Sequence, residues 1–162
     1  MVYQNHMGEW MNKENWIKNV IIVSGGFDPV HIGHMRMFRE ASNLGANVIL
    51  GLNSDSWLMR KKGKPFMKWE ERAEILESCK FVTQVLPMED WDDTASDIIK
   101  QVAKLYQDQD MNIYFANGGD RGKGNVPEVD TCKDLGVVML WGIGGGKIQS
   151  SSDLTKNWEI ND

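Results

Sequence analysis

The sequence predicts an α/β fold: a Rossmann-like, doubly wound sheet of about five parallel strands with helices on both faces. Three observations carry that expectation. Short apolar runs rich in β-branched residues, such as Val20-Ile21-Ile22-Val23, suit strands buried on both faces. Between such runs lie segments whose apolar residues recur at helical spacing. The two patterns alternate along the chain with short connections, which builds a parallel sheet through right-handed crossovers and puts ligands at the carboxyl ends of the strands.

Taken in order, Val20 to Val23 is the first strand of this sheet, stopped by Ser24-Gly25-Gly26. From Gly33 to Leu44, Met35, Met37, Phe38, Ala41 and Leu44 mark a helix, with Gly45 as its stop. Asn47 to Leu52 is the second strand, and Asn53-Ser54-Asp55 offers caps for a short helix holding Trp57 and Leu58. A lysine-rich loop follows. Trp69 to Lys80 then reads as a helix, Trp69, Ala73 and Leu76 inward and Glu70, Glu71 and Glu74 outward. Phe81 to Leu86 is a weakly alternating strand ended by Pro87, and Ala95 to Leu105 repeats Ile98, Ile99, Val102 and Leu105 at helical intervals. Asn112 to Ala116 gives a fourth strand, and a polar, glycine-rich loop runs from Asn117 to Asn125. Pro127 opens a helix reaching Leu135, and Val137 to Trp141 gives a fifth strand. Residues 1–18, with Trp10 and Trp16 in a polar setting, read as an N-terminal extension that docks on the body or on a partner. Residues 19–162 read as one domain.

Composition narrows the function. With 41% hydrophobic and 25% charged residues in 162, the chain can bury a sizeable core, which excludes fibrous and disordered classes. No apolar run approaches the roughly 20 residues of a membrane span. The first 18 residues carry Glu9 and Glu14 and no apolar core of a signal peptide, so a cytoplasmic location without membrane insertion is expected. A net charge of −5 argues against a surface that grips nucleic acid through its phosphates. Charge is uneven, however: Arg60, Lys61, Lys62, Lys64, Lys68 and Arg72 outnumber Glu70 and Glu71, so a local anion site fits there. The acidic stretch from Glu89 to Asp110 reads as a solvated helix with its flanks. Cys79 and Cys132 form no metal or disulfide pattern and read as buried free thiols.

The richest stretch is Gly25-Gly26-Phe27-Asp28-Pro29-Val30-His31-Ile32-Gly33-His34, at the carboxyl end of the first strand. Glycines let backbone approach an anion, and a helix starting near Gly33 aims its free N–H groups and positive dipole end at it. His31 and His34, three apart, share one side of the first turn and can donate to phosphate oxygens as charge develops. Two alternatives stand beside this reading. The pair could bind a metal, though only Asp28 is near in sequence as a further ligand, or it could merely cap and pack. The stretch is neither a P-loop nor a GxGxxG fingerprint.

These residues resemble the HxGH signature of the nucleotidyltransferase superfamily that includes the cytidylyltransferases, and the similarity runs from Val20 to near Trp158. It passes through Leu52-Asn53-Ser54-Asp55, the lysine-rich loop, Trp69-Glu70-Glu71-Arg72, Gly118-Gly119-Asp120 and Ser150-Ser151-Ser152. It is nearest the glycerol-3-phosphate cytidylyltransferases and the heptose-phosphate nucleotidyltransferases. The resemblance implies attack by an acceptor phosphate oxygen on the α-phosphorus of a nucleoside triphosphate, with pyrophosphate leaving and no covalent enzyme intermediate. CTP is the expected donor and a small phosphorylated alcohol or sugar the acceptor. ATP acting on a heptose phosphate is the alternative, and a non-catalytic nucleotide-binding module is the alternative of another class.

The resemblance also distributes roles. His31 and His34 stabilise the transition state, and Lys61 or Lys64 neutralises phosphate from a loop between the second strand and the next helix. Gly25, Gly26, Phe27, Asp28 and Gly33 cradle the nucleotide. Ser150, Ser151 and Ser152 stand where relatives carry Ser-Thr-Thr at a late helix start, with Lys147 the nearest cation after the glycine run 142–146. Arg72, Asp120 and Arg121 are candidates for the acceptor. Magnesium, a hard cation that takes oxygen ligands and bridges phosphates, would be held by Asp28 or Asp120. A homodimer is expected from the resemblance alone.

Overall fold

The computed structural model describes residues 2–4, 10–12, 18–118, 126–145 and 150–159. Two short strands, β1 (Val2–Gln4) and β2 (Trp10–Asn12), pair antiparallel in a sheet of their own. Then come β3 (Asn19–Gly25), α1 (Ile32–Asn43), β4 (Ala46–Leu52), α2 (Asp55–Lys62), α3 (Trp69–Glu77) and β5 (Gln84–Pro87). The chain continues through α4 (Ser96–Leu105), β6 (Asn112–Gly118), α5 (Glu128–Leu135), β7 (Val138–Ile143) and α6 (Ser151–Glu159).

The five strands β3 to β7 form one parallel sheet in the order β5-β4-β3-β6-β7. The fold is therefore the expected Rossmann-like one. The chain winds outward from β3 to β5, then returns to lay β6 on the other side of β3, so the strand order reverses between β3 and β6. At such a switch point adjacent loops splay to opposite faces and leave a crevice.

Side-chain alternation along β3 divides the core. Ile21 and Val23 join Phe38 and Ala41 of α1 and Ala73 and Leu76 of α3 on one face. Val20 and Ile22 join Ile98, Ile99 and Val102 of α4 and Cys132 of α5 on the other. Both faces are covered, as an all-parallel sheet requires. Gly51 on β4 lets α4 approach closely: a Cβ there would lie 2.8 Å from Ile98.

Several boundaries differ from expectation. β3 and β6 run on to Gly25 and Gly118, because ladder hydrogen bonds need no apolar side chain. The third helix ends at Glu77, and Phe81 and Val82 pack against the core ahead of β5 rather than inside it. Lys61 and Lys62 belong to the last turn of α2, where cations suit the negative end of the helix dipole, rather than to a loop.

Candidate active site

A cleft of about 840 Å³ opens along the carboxyl edge of the sheet across the switch point. Its lining includes the expected Gly25, Gly26, Phe27, Asp28, His31, Gly33, His34, Lys61, Ser150, Ser151 and Ser152, drawn from the end of β3 and the loop after it, the start of α1, the end of α2 and the start of α6. Lys64 and Arg72 are not in that lining. Lys147, Asp120 and Arg121 lie outside the described residues.

The two histidines cap the helix they begin. His31 is the N-cap of α1, and its Nδ1 accepts the Gly33 N–H at 3.1 Å. His34, at the third helical position, accepts the His31 N–H on its own Nδ1 at 3.2 Å. This is a capping box in which imidazoles replace the usual hydroxyl and carboxylate. The rings stack with centroids 3.7 Å apart. Because both Nδ1 atoms accept, each neutral ring carries its proton on Nε2, so each presents an N–H donor. Burial, reinforced by His31, pushes the pKa of His34 down to about 3, and burial lowers that of His31 as well. Both rings are thus neutral near pH 7, and the expected pairing and capping coexist in one arrangement.

Phe27 supports the pair from below. Its backbone is left-handed at φ 48°, and its buried ring stands edge-on to His34 at 4.9 Å and to Phe38 at 5.3 Å. A Cβ on Gly25 would lie 3.0 Å from the same ring, so glycine there lets the loop fold back on the strand.

Asp28 locks the lysine-bearing segment onto this loop. Its carboxylate accepts the Phe66 N–H at 2.6 Å and the Met67 N–H at 2.7 Å, and pairs with the Lys62 ammonium at 2.8 Å. The side chain is only 1% exposed. A metal ion bound here would displace those partners, and no group of three or more His, Cys, Asp or Glu suited to a metal occurs among the described residues. In this structure Asp28 acts as a loop anchor, its carboxylate held by two backbone N–H groups and the Lys62 ammonium.

Arg72 is corrected in the same way. It is 1% exposed and its guanidinium donates to the Met67, Gly26 and Asn53 carbonyls at 2.9, 2.9 and 2.8 Å and to the Asp55 carboxylate at 2.7 Å. It ties together the ends of β3 and β4, the start of α2 and the approach to α3, and is not an acceptor contact. Lys64 is exposed and does not line the cleft, whereas Lys61 lies over the Trp57 ring at 4.4 Å and, with Lys62, lines it. Ser150 caps α6 by accepting the Asp153 N–H at 3.0 Å. Ser151 donates to the Pro29 carbonyl at 2.7 Å, which fastens the start of α6 to the histidine loop.

Sequence reasoning missed Asn117 and Glu128, both buried in the wall beyond the switch point. Asparagine at a strand end and glutamate in a first helical turn are ordinary signals of a turn and of a helix dipole. Neither pattern announces a cleft.

The fold and the site together define a nucleotidyltransferase-type α/β domain: two neutral histidines at a helix start, two lysines and a second helix N-terminus around one cleft. The family model described as cytidylyltransferase-like matches residues 22–136, and the chain belongs to that family. It is 39% identical over 80 residues to the glycerol-3-phosphate cytidylyltransferase of Bacillus spizizenii, covering 49% of this chain and 62% of that protein. Identity to the glycerol-3-phosphate cytidylyltransferase of Bacillus subtilis is 26% over 129 residues, 80% of this chain and 93% of that one. The bifunctional protein HldE of Sulfurimonas denitrificans is 38% identical over 87 residues, 52% of this chain and 18% of that protein. The fold matches the crystal structure of the lipopolysaccharide core biosynthesis protein from Thermoplasma volcanium, with a TM-score of 0.55 and 17% identity over 75% of this chain and 92% of that one. No helix among the described residues is long and apolar enough to cross a membrane.

Proposed function

We propose that the protein transfers a nucleoside monophosphate from CTP to the phosphate of a small phosphorylated alcohol or sugar. The single observation that carries this is the pair of neutral histidines presenting Nε2–H donors beside Lys61 and Lys62 in one cleft. In the proposed step an acceptor phosphate oxygen bonds to the α-phosphorus. The bond from that phosphorus to the α,β-bridging oxygen breaks, and its electron pair leaves with pyrophosphate. No proton need move at the reacting atoms. Catalysis is then positioning and charge stabilisation. His31 and His34 donate to the oxygens on which charge accumulates, Lys61 neutralises the phosphates while Lys62 stays paired with Asp28, and the start of α6 with Ser150 and Ser152 receives the departing pyrophosphate. Magnesium is proposed to arrive on the triphosphate oxygens rather than on Asp28, whose oxygens are engaged.

Similarity to HldE favours a second reading, with ATP as donor and a heptose phosphate as acceptor. A homodimer in the cytoplasm is proposed for either.

Pyrophosphate release tests both readings. CTP and ATP are supplied separately with magnesium, against glycerol 3-phosphate and a set of sugar phosphates, with His34→Ala as control. Release with CTP that is abolished in the variant supports the first reading, and release with ATP alone supports the second. Nucleotide binding without release from any pair contradicts both.

A further inference from the structure

The cleft has two chemically distinct halves. On the α1 side stand the histidines, the lysines and the start of α6, all suited to anions. Across the switch point, on the α4 and α5 side, stand Met88, Thr94, Ala95, Asn117 and Glu128. Phe115 faces α4, so the period-2 alternation of β6 turns Asn117 to the same side.

Two atoms there lack partners among the described residues. Asn117 is 4% exposed and its Nδ2 makes no hydrogen bond. Glu128 is 2% exposed; its Oε1 accepts the Ala95 N–H at 2.9 Å, while Oε2 has no partner. Buried polar groups left unpaired are costly, and natural proteins keep few of them. A donor and an acceptor left unpaired on residues that line one cleft offer complementary hydrogen-bonding capacity. Glu128 also repels phosphate, so this half suits the neutral part of a substrate.

We propose that Asn117 Nδ2 and Glu128 Oε2 recognise neighbouring hydroxyls of a sugar or polyol, one hydroxyl accepting from Asn117 and another donating to Glu128. A hydroxyl both accepts and donates, so neighbouring hydroxyls satisfy both atoms at once. The hydroxyls belong either to the ribose of the nucleotide or to the acceptor. The assignment rests on the nucleotidyl-transfer reading and deepens it.

Glu128→Gln is the informative variant, because it keeps an oxygen for the Ala95 N–H and turns the open acceptor into a donor. Asn117→Leu is the second, and carries the test should Glu128→Gln lower the melting temperature. Calorimetric affinities for CTP, 2′-deoxy-CTP, 3′-deoxy-CTP and UTP form one arm. KM values for glycerol 3-phosphate and for 1,3-propanediol monophosphate, which lacks the secondary hydroxyl, form the other.

In the arm that owns the hydroxyls, the variant is expected to weaken the hydroxylated ligand roughly 10- to 100-fold, typical of a hydrogen bond to a charged group. It is also expected to stop discriminating against the deoxy analogue. Equal effects on hydroxylated and deoxy ligands in both arms overturn the assignment, as does a change confined to CTP against UTP. If the wild type neither binds a nucleoside triphosphate nor releases pyrophosphate, the transfer reading falls and takes this assignment with it. If the wild type is active and the folded variants match it on every ligand, only this assignment falls.

Discussion

The Lys62 ammonium lies 2.8 Å from the Asp28 carboxylate and 2.6 Å from the Asp28 carbonyl oxygen, so one residue of the histidine loop holds the end of α2 twice. The same carboxylate holds the backbone at Phe66 and Met67. A buried acid thus fixes the position of the segment that brings cations to the cleft.

Asp28→Ala removes the carboxylate, which leaves two N–H groups unpaired and a partly buried ammonium with the residue-28 carbonyl oxygen but no counter-charge. The expected destabilisation is about 3–5 kcal/mol, the range for breaking a buried ion pair. Denaturant unfolding checks it, together with faster protease cleavage between Lys62 and Lys68. Unchanged cleavage there would mean that the segment is held by other contacts.

Arg72→Lys is expected to behave as a loss rather than a conservative change. A single ammonium cannot reach the Gly26, Asn53 and Met67 carbonyls and Asp55 together, as the planar guanidinium does. Stability should fall by about 3 kcal/mol or more, with turnover falling as the loops separate. A variant as stable as the wild type but with a raised acceptor KM would restore Arg72 to the acceptor site.

His34 links stability to pH. The folded protein holds its pKa at about 3 against an ordinary value of 6.5, so between those values the unfolded chain binds the extra proton. Stability contributed by the neutral ring is complete above about 6.5 and is lost progressively as pH falls toward 3. Melting temperatures across this range should fall less steeply in His34→Asn, whose side chain does not titrate. In turnover, the same variant should lose roughly 100- to 1,000-fold, as expected for one donor to a developing oxyanion.

Gly51→Ala places a methyl 2.8–2.9 Å from three side-chain atoms of Ile98. Overpacking of this kind costs about 1–3 kcal/mol. Adding Ile98→Ala to Gly51→Ala should cost less than Ile98→Ala costs the wild type, measured as a double-mutant cycle in urea. Simple additivity would show that β4 and α4 move apart freely.

The core strands and the histidine loop were legible in the sequence because their signals are local. Val20 to Val23 is apolar on both faces, and three glycines and two histidines follow within eleven residues of Val23. Other features depend on segments distant in sequence. Arg72 reads as a surface cation in an acidic helix, and only the meeting of carbonyls from Gly26, Asn53 and Met67 buries it. Lys61 and Lys62 read as loop because the last turn of α2 is wholly basic and the helix buries Leu58. The open atoms of Asn117 and Glu128 become visible only once the sheet order sets β6 beside β3 and brings α5 to the cleft.

The central claim is the bond that forms. Phosphorus NMR of the protein incubated with magnesium, CTP and an acceptor phosphate should show a new diphosphate diester and free pyrophosphate appearing together, at rates that collapse in His34→Ala. CTP converted instead to CDP and inorganic phosphate, or to CMP with no acceptor adduct, would contradict it.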